Sequence, residues 1–307
     1  MAALRVWVIT DGRLGHLNQL KGLIARLQSK AEVTVSWLNI AEQGFAYTGR
    51  HELKKQFSAE QLPDWIVGAG SRTHLPMLWL KWLTGGRALV LMRPSWPLLL
   101  FDAICMPLHD SPPARKNVLA TQGVINHIVP VTSGRDAARG LILLGGINKH
   151  FAWDNEAILA QLKRISAAAP GVVWLVSDSP RTPAGLLAQV EGLGAANIET
   201  IAYQQTGPGW LQANLTKVGQ AWVTCDSVSM VYESISSGAN TGLLALPPLR
   251  ESRVTKSMAQ VLAAGLASDI ATADLHNMLP PAAYPLWEAD RAADWLLQLA
   301  SNAQRKV

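Results

Sequence analysis

Ten short apolar or β-branched runs punctuate the chain, and many end in a Gly, Ser or Asp cluster that gives way to helical spacing. Parallel strands cannot be joined by tight hairpins, so this alternation predicts parallel sheets with crossover helices, the α/β class. The runs are 4–10, 33–38, 64–67, 88–92 and 102–106, then 140–144, 172–177, 198–202, 221–225 and 242–246. Several are hydrophobic almost without alternation, as strands covered on both faces are. Five in each half predict two doubly wound sheets. The uncharged stretch 128–134, Ile-Val-Pro-Val-Thr-Ser-Gly, is the expected linker, which divides the chain into domains 1–134 and 135–307. Leu286, Ala289, Ala293, Leu296 and Ala300 recur at helical spacing. They predict a last amphipathic helix, with packing back onto the N-terminal domain as one option.

Composition removes several classes. With 49% hydrophobic and 16% charged residues, the chain is neither disordered nor collagen-like. Two distant cysteines, Cys105 and Cys225, are too few for a disulfide framework or a thiolate zinc site, and they fit a reducing compartment. The start of the chain lacks the pattern of a secretory signal. The most apolar region, 88–109, contains Arg93, Pro94, Pro97 and Asp102 and cannot span a bilayer. A cytoplasmic protein is expected, soluble or peripheral on the inner face of the membrane.

Charge is uneven. Residues 1–136 hold 15 Lys/Arg against 9 Asp/Glu, while residues 137–307 hold 12 against 13. The basic half suits an anionic membrane surface or a phosphorylated substrate, with a merely solvated basic face as the alternative. Nucleic acid is not expected: no basic run exceeds two, and Tyr and Phe number four each. The segment 75–83, Leu-Pro-Met-Leu-Trp-Leu-Lys-Trp-Leu, is apolar nearly all round. It reads as a buried helix or as a membrane-interface element carrying Trp79, Lys81 and Trp82.

Ligands of open parallel sheets bind beyond the carboxyl ends of the strands. After the first run comes Thr10-Asp11-Gly12-Arg13-Leu14-Gly15-His16, then Asn18 and Gln19 on a helix. Its glycines permit close approach and His16 can take a proton near neutral pH, although a structural turn capped by Asp11 reads equally well. Gly68-Ala69-Gly70-Ser71-Arg72-Thr73-His74 offers glycines, hydroxyls and a cation for an anion. In the second half, Gly145-Gly146 and Ser177-Asp178-Ser179-Pro180-Arg181-Thr182 each follow a strand. In Thr224-Cys225-Asp226-Ser227-Val228-Ser229-Met230, followed by Glu233, a strand meets a helix that Asp226 or Ser227 can cap. The helix start suits phosphate and Glu233 suits a ribose, or the segment is only a capped helix with an exposed Glu.

Walker A, His-Glu-x-x-His, Cys-x-x-Cys, Gly-x-Ser-x-Gly and Asp-x-Asp patterns are all missing. Without Asp-x-Asp, metal-chelated diphosphate chemistry is disfavoured, and no metal or cofactor is expected.

Taken together, the loops resemble the mitochondrial-fission ELM-like family. The residues that carry the likeness are 10–16 with Asn18-Gln19, 68–74, Leu91-Met-Arg-Pro94, Phe101-Asp102, Pro107-Leu-His-Asp110, Gly145-Gly146 and Asp226-Ser-Val-Ser-Met230 with Glu233. Bacterial members are regarded as GT-B glycosyltransferases of cell-surface polysaccharide or lipopolysaccharide-core synthesis. The resemblance implies two Rossmann-like domains facing across a cleft, the first for acceptor and the second for nucleotide-sugar. It implies a metal-independent glycosyltransferase with a membrane-associated glycan or glycolipid acceptor. Its catalytic candidates are His16 with Asp11, and His109 with Asp110 as rivals. For the donor they are Gly145, Gly146, Ser179, Arg181, Thr182, Asp226, Ser227, Ser229, Met230, Glu233 and Lys256; for the acceptor, Gly15, Gln19, Ser71, Arg72, Thr73 and Arg93. The Gly-His turn is also similar to the Gly-Gly-His turn of the lipid-linked N-acetylglucosaminyltransferase of peptidoglycan synthesis, departing from it at Leu14. Asp178 is an acidic departure beside a presumed diphosphate. Two rivals stand beside this reading. Asp226-Ser227 with Glu233 also resembles the nucleotide-binding segment of non-hydrolysing 2-epimerases, and eukaryotic relatives suggest a non-catalytic membrane adaptor.

Overall fold

The computed structural model describes residues 3–40 and 61–304. The chain divides into two compact units, Met1–His127 with Trp287–Val307, and Ile128–Leu286.

The first unit is built on an all-parallel six-stranded sheet. Its strands are β1 (Leu4–Thr10), β2 (Val33–Asn39), β3 (Trp65–Ala69), β4 (Arg87–Leu91), β5 (Ala103–Pro107) and β6 (Val118–Thr121), in the order β2-β1-β3-β4-β5-β6. Successive side chains of β1 serve opposite cores, which is why that run does not alternate with polar residues. Val6 and Val8 meet Leu20, Leu23 and Leu27 of α1 (Leu14–Lys30). Trp7 and Ile9 meet Met77, Leu80 and Leu83 of α2 (His74–Thr84) on the other side. Leu20, Leu23, Ile24 and Leu27 form one stripe of α1, and α8 (Glu288–Gln304) closes it with Ala289, Ala292, Ala293 and Leu296.

The second unit holds β7 (Asp136–Leu143), β8 (Val173–Ser177), β9 (Ile198–Ile201), β10 (Val218–Thr224), β11 (Asn240–Leu244) and β12 (Ser268–Asp269), all parallel, in the order β12-β11-β10-β7-β8-β9. Its helices are α3 (Asn155–Ala168), α4 (Leu186–Glu191), α5 (Trp210–Leu215), α6 (Val228–Ser237) and α7 (Arg253–Ala263). Gly140 and Gly242 stand opposite Trp174 and Trp222 in the register. A methyl group at either glycine would fall 2.2 or 2.3 Å from an indole, so each glycine makes room for a buried tryptophan on the neighbouring strand.

Two expectations need correcting. Each sheet has six strands rather than five; β6 and β12 are short edge strands whose residues are only partly buried or exposed, apart from Thr121. Residues 128–134, expected as a linker, lie within the second unit, where the Val131 N–H donates to the Ser237 carbonyl at 3.0 Å and Arg135 bonds the carbonyls of Val131, Leu215, Val218 and Ser237. Of the options open for the last helix, the first unit is where it lies, with Arg26 and Lys30 of α1 paired to Asp290 at 2.6 and 3.0 Å. Among the described residues no helix is long and apolar enough to cross a membrane.

Candidate functional site

Each sheet reverses its strand order at one place, between β1 and β3 in the first unit and between β7 and β10 in the second. The loops leaving paired strands there diverge to opposite faces and open a crevice. Many of the candidate residues gather at these two switch points, but His109, Asp110, Arg93 and Lys256 do not.

At the first, β1 ends at Thr10 and the chain turns through Gly12, whose φ of 74° favours glycine. Asp11, expected as a helix cap, is not one: the cap position of α1 is Arg13 and carries no side-chain cap bond. Instead the buried Asp11 carboxylate binds His16 Nδ1 at 2.9 and 3.1 Å and accepts the Arg13 N–H at 3.3 Å. A carboxylate only accepts, so Nδ1 is the donor of this pair, and Nε2 takes no part in it. Gly70, after β3, has φ 90°, and a Cβ there would lie 2.4 Å from His16 Cε1. Its bare backbone therefore walls the imidazole from the second side. Gln19 is buried and donates to the Gly15 carbonyl and to Met92 Sδ at 3.3 and 3.4 Å. Thr73 is also buried and closes on the Gly70 carbonyl at 2.8 Å, while Ser71 and Arg72 stay exposed.

His109 and Asp110 occupy a 3-10 turn after β5, three strands from β1. At the usual strand spacing this is about 14 Å across the sheet. Arg93 is committed to that turn, donating to the Asp110 carbonyl at 2.7 Å. Met92, just before it, holds a left-handed φ of 71° that sequence reading gave no reason to expect.

At the second switch point the loop after β7 is pinned from below. Gly145 N–H donates to Thr224 Oγ1 at 2.7 Å, and Gly146 N–H donates to Asp226 Oδ2 at 3.0 Å. Ser179 Oγ donates to the Gly145 carbonyl at 2.7 Å, and Thr182 Oγ1 binds the same carbonyl. No side chain fits at either glycine: a Cβ at Gly145 would lie 2.2 Å from Asp226 Oδ1, and one at Gly146 would lie 2.0 Å from the Arg181 backbone. Asp226 is wholly buried as a side chain and pairs with Arg181 at 3.0 Å, so it does not cap α6; nor does Ser227, which sits at the cap position with no side-chain cap bond. Arg181 also donates to the Gly146 carbonyl at 3.3 Å. The amides of Val228, Ser229 and Met230 open α6, and first-turn amides have no acceptor within their own helix. Ser229 is exposed, and Glu233, one turn on, is buried rather than exposed.

Asp178 faces away from this cradle, accepting the Tyr203 N–H at 2.6 Å. Lys256, on α7, pairs with Glu251 at 2.7 Å rather than with the cluster. Thr224 and Asn148 lie in the candidate loops but are given no role in the sequence reading. Asn148 Oδ1 accepts the His150 and Phe151 amides at 2.7 and 3.1 Å and folds the glycine loop back on itself, a tendency Asn has in any turn. Cys105 and Cys225 are buried, and desolvation pushes both thiols up to about 12.

The family model for "Mitochondrial fission ELM1" matches residues 14–300. The uncharacterized protein RP120 of Rickettsia prowazekii (strain Madrid E) is 26% identical over 290 residues, covering 76% of this chain and 81% of its own. Among solved structures, UDP-GlcNAc 2-epimerase from Neisseria meningitidis, bound to UDP-GlcNAc, superposes with a TM-score of 0.58 at 12% identity, covering 96% of this chain and 100% of its own. MurG from Acinetobacter baumannii gives 0.50 at 15% identity, covering 98% and 95%. With the two parallel sheets, these likenesses make the fold GT-B-like, a pair of Rossmann-like domains.

Proposed function

We propose, from the premise that this chain belongs to the mitochondrial fission ELM1 family, that it is a glycosyltransferase that uses a nucleotide-sugar donor and needs no metal. The acceptor in this reading is a hydroxyl of a membrane-associated glycan or glycolipid. The observation that carries it is the Asp11–His16 pair, an oriented imidazole at one switch point of a fold whose other switch point presents amides, hydroxyls and a fixed guanidinium.

In the reaction, His16 Nε2 takes the proton of the acceptor hydroxyl. The hydroxyl oxygen bonds to the anomeric carbon, and the bond from that carbon to the diphosphate breaks with its electrons on the diphosphate oxygen. That charge is met by the first-turn amides of α6 and by Arg181, which Asp226 holds in place before any ligand arrives. A preorganised donor at such a position is worth about 3–4 kcal/mol of transition-state stabilisation. Glu233 takes the ribose hydroxyls, and Gln19, Ser71 and Arg72 line the acceptor side.

A thermal-shift screen of nucleoside diphosphates tests the donor half. A ligand at 100 times its Kd stabilises by about 2.7 kcal/mol. The stabilisation should vanish in Glu233→Gln, chosen over Ala because the position is buried. A shift unchanged in that variant removes Glu233 from the site, and no shift with any nucleotide removes the reading and leaves the adaptor role. Transfer should persist in excess chelator. The N. meningitidis likeness in shape supports a second reading, 2-epimerisation of the nucleotide-sugar. The two readings part on one assay, since an epimerase turns over donor with no acceptor present.

A further inference from the structure

The outer face of α2 and the crossover that follows β4 form one apolar strip. Leu75 and Trp82, two helical turns apart, are exposed on the side of α2 away from Met77 and Leu80, and Trp79 between them is partly buried against the core. Residues 95–100 run alongside, tied at one end by His74 Nδ1 to Ser95 Oγ at 3.2 Å and at the other by Lys81 Nζ to the Leu100 carbonyl at 2.9 Å. Leu99 is 79% exposed and Trp82 67%, with Leu75, Trp96 and Leu100 also open to solvent. The Trp79 and Trp82 rings lie 5.4 Å apart. The buried-helix reading therefore holds for one face of α2, and the other face is open to solvent.

We infer that this strip docks the first unit on an anionic lipid bilayer. Charge selects that occupant over another protein. Residues 65–101 contain no Asp or Glu, and the first unit as a whole has 17 Lys/Arg against 11 Asp/Glu. Lys81 is matched by Asp102 at 2.7 Å, so the attraction comes from exposed Arg72 at the helix start and from Arg115 and Lys116. The last two precede Asn117, which donates to the Phe101 carbonyl at 3.0 Å beside Leu100. Indoles at the headgroup level with cations around them are what a lipid interface accommodates. The inference does not rest on glycosyl transfer, since binding is read with no donor present.

The test is co-sedimentation of the full chain with phosphatidylcholine vesicles, with and without phosphatidylglycerol. Binding should be at least about tenfold tighter with phosphatidylglycerol and should weaken with salt. Trp82→Ser/Leu99→Ser should lose it with an unchanged melting temperature, and Arg115→Gln/Lys116→Gln should lose the anionic preference. If the double apolar variant fails to fold, Leu99→Cys carrying an environment-sensitive dye gives the same answer, because both native thiols are buried and unreactive. A blue shift on anionic vesicles supports docking; no shift overturns it. Equal binding to both vesicle types also overturns it. So does a wild-type dimer that the apolar variant lacks, seen without vesicle binding, which would make the strip an interface between copies of this chain.

Discussion

The two switch points occupy equivalent places in two parallel sheets, yet they keep their charge differently. The first buries one carboxylate and spends it on an imidazole whose ring remains partly open to solvent. The second buries two, Asp226 and Glu233, and commits Asp226 to a guanidinium and a glycine amide. An imidazole changes charge near neutral pH and a guanidinium does not. The difference teaches that the two crevices offer different chemistry: an imidazole oriented by a carboxylate in one, and a guanidinium fixed by a carboxylate in the other.

Removing the proton carrier should produce the largest effect. His16→Ala is expected to lower turnover by about a hundred- to ten-thousandfold. Donor-induced stabilisation should be untouched, because the loops proposed for the donor lie in the other unit. Asp11→Asn, which leaves the ring without its orienting carboxylate, should lose a part of the same rate. Steady-state rates alongside thermal shifts check this, and a His16 variant with full turnover ends the division of labour.

Stability should respond in the opposite sense. Asp226→Ala removes the acceptor of the Gly146 amide and the partner of Arg181 inside a packed loop, at a cost of roughly 1–3 kcal/mol. His16→Ala removes a ring that is 19% exposed and should cost less, because Asp11 keeps the Arg13 N–H. Urea denaturation of the two variants, compared by midpoint, measures the contrast.

The asymmetry of sequence legibility follows the same line. Strands buried on both faces announced themselves as unbroken apolar runs, and the glycine loops after β1, β3 and β7 marked the right ends of the right strands. Edges did not: β12 is two residues long, and the Asp136–Arg139 extension of β7 is solvent-exposed, so neither carries a hydrophobic signal. Within the sites, residue types were readable and partners were not. Asp11 read as a cap because the left-handed turn at Gly12, which swings it under His16, is a property of the folded backbone. Asp226 and Arg181 lie on loops of different strands, and only the order of β8, β7 and β10 brings them together. Lys256 read as a phosphate ligand by type alone and is engaged with Glu251 on the surface.

The smallest expected effect is an acid response within the first unit. Burial works to raise the Asp290 carboxyl, but hydrogen bonds from Lys30 and Arg26 outweigh it and hold the group below its ordinary 3.8. Its contribution is thus complete above that value and fades as pH falls through the lowered one. The docking of α8 on α1 should weaken there, and Asp290→Asn should flatten that part of the acid profile. Hydrogen exchange of α1 amides against pH reads it; exchange that rises equally in wild type and variant would assign the acid sensitivity elsewhere.

The α8 helix also sets an order of events during synthesis. Its alanines and Leu296 complete the layer over Leu20, Leu23 and Leu27, yet they leave the ribosome only after every residue of the second unit. The 128–286 segment has all its strands in hand first and can fold as a unit. The stretch before it must wait with one face of its sheet uncovered. A chain arrested near residue 286 would thus present a finished half and a sticky one, and chaperone demand should peak at that length and drop once the final helix emerges.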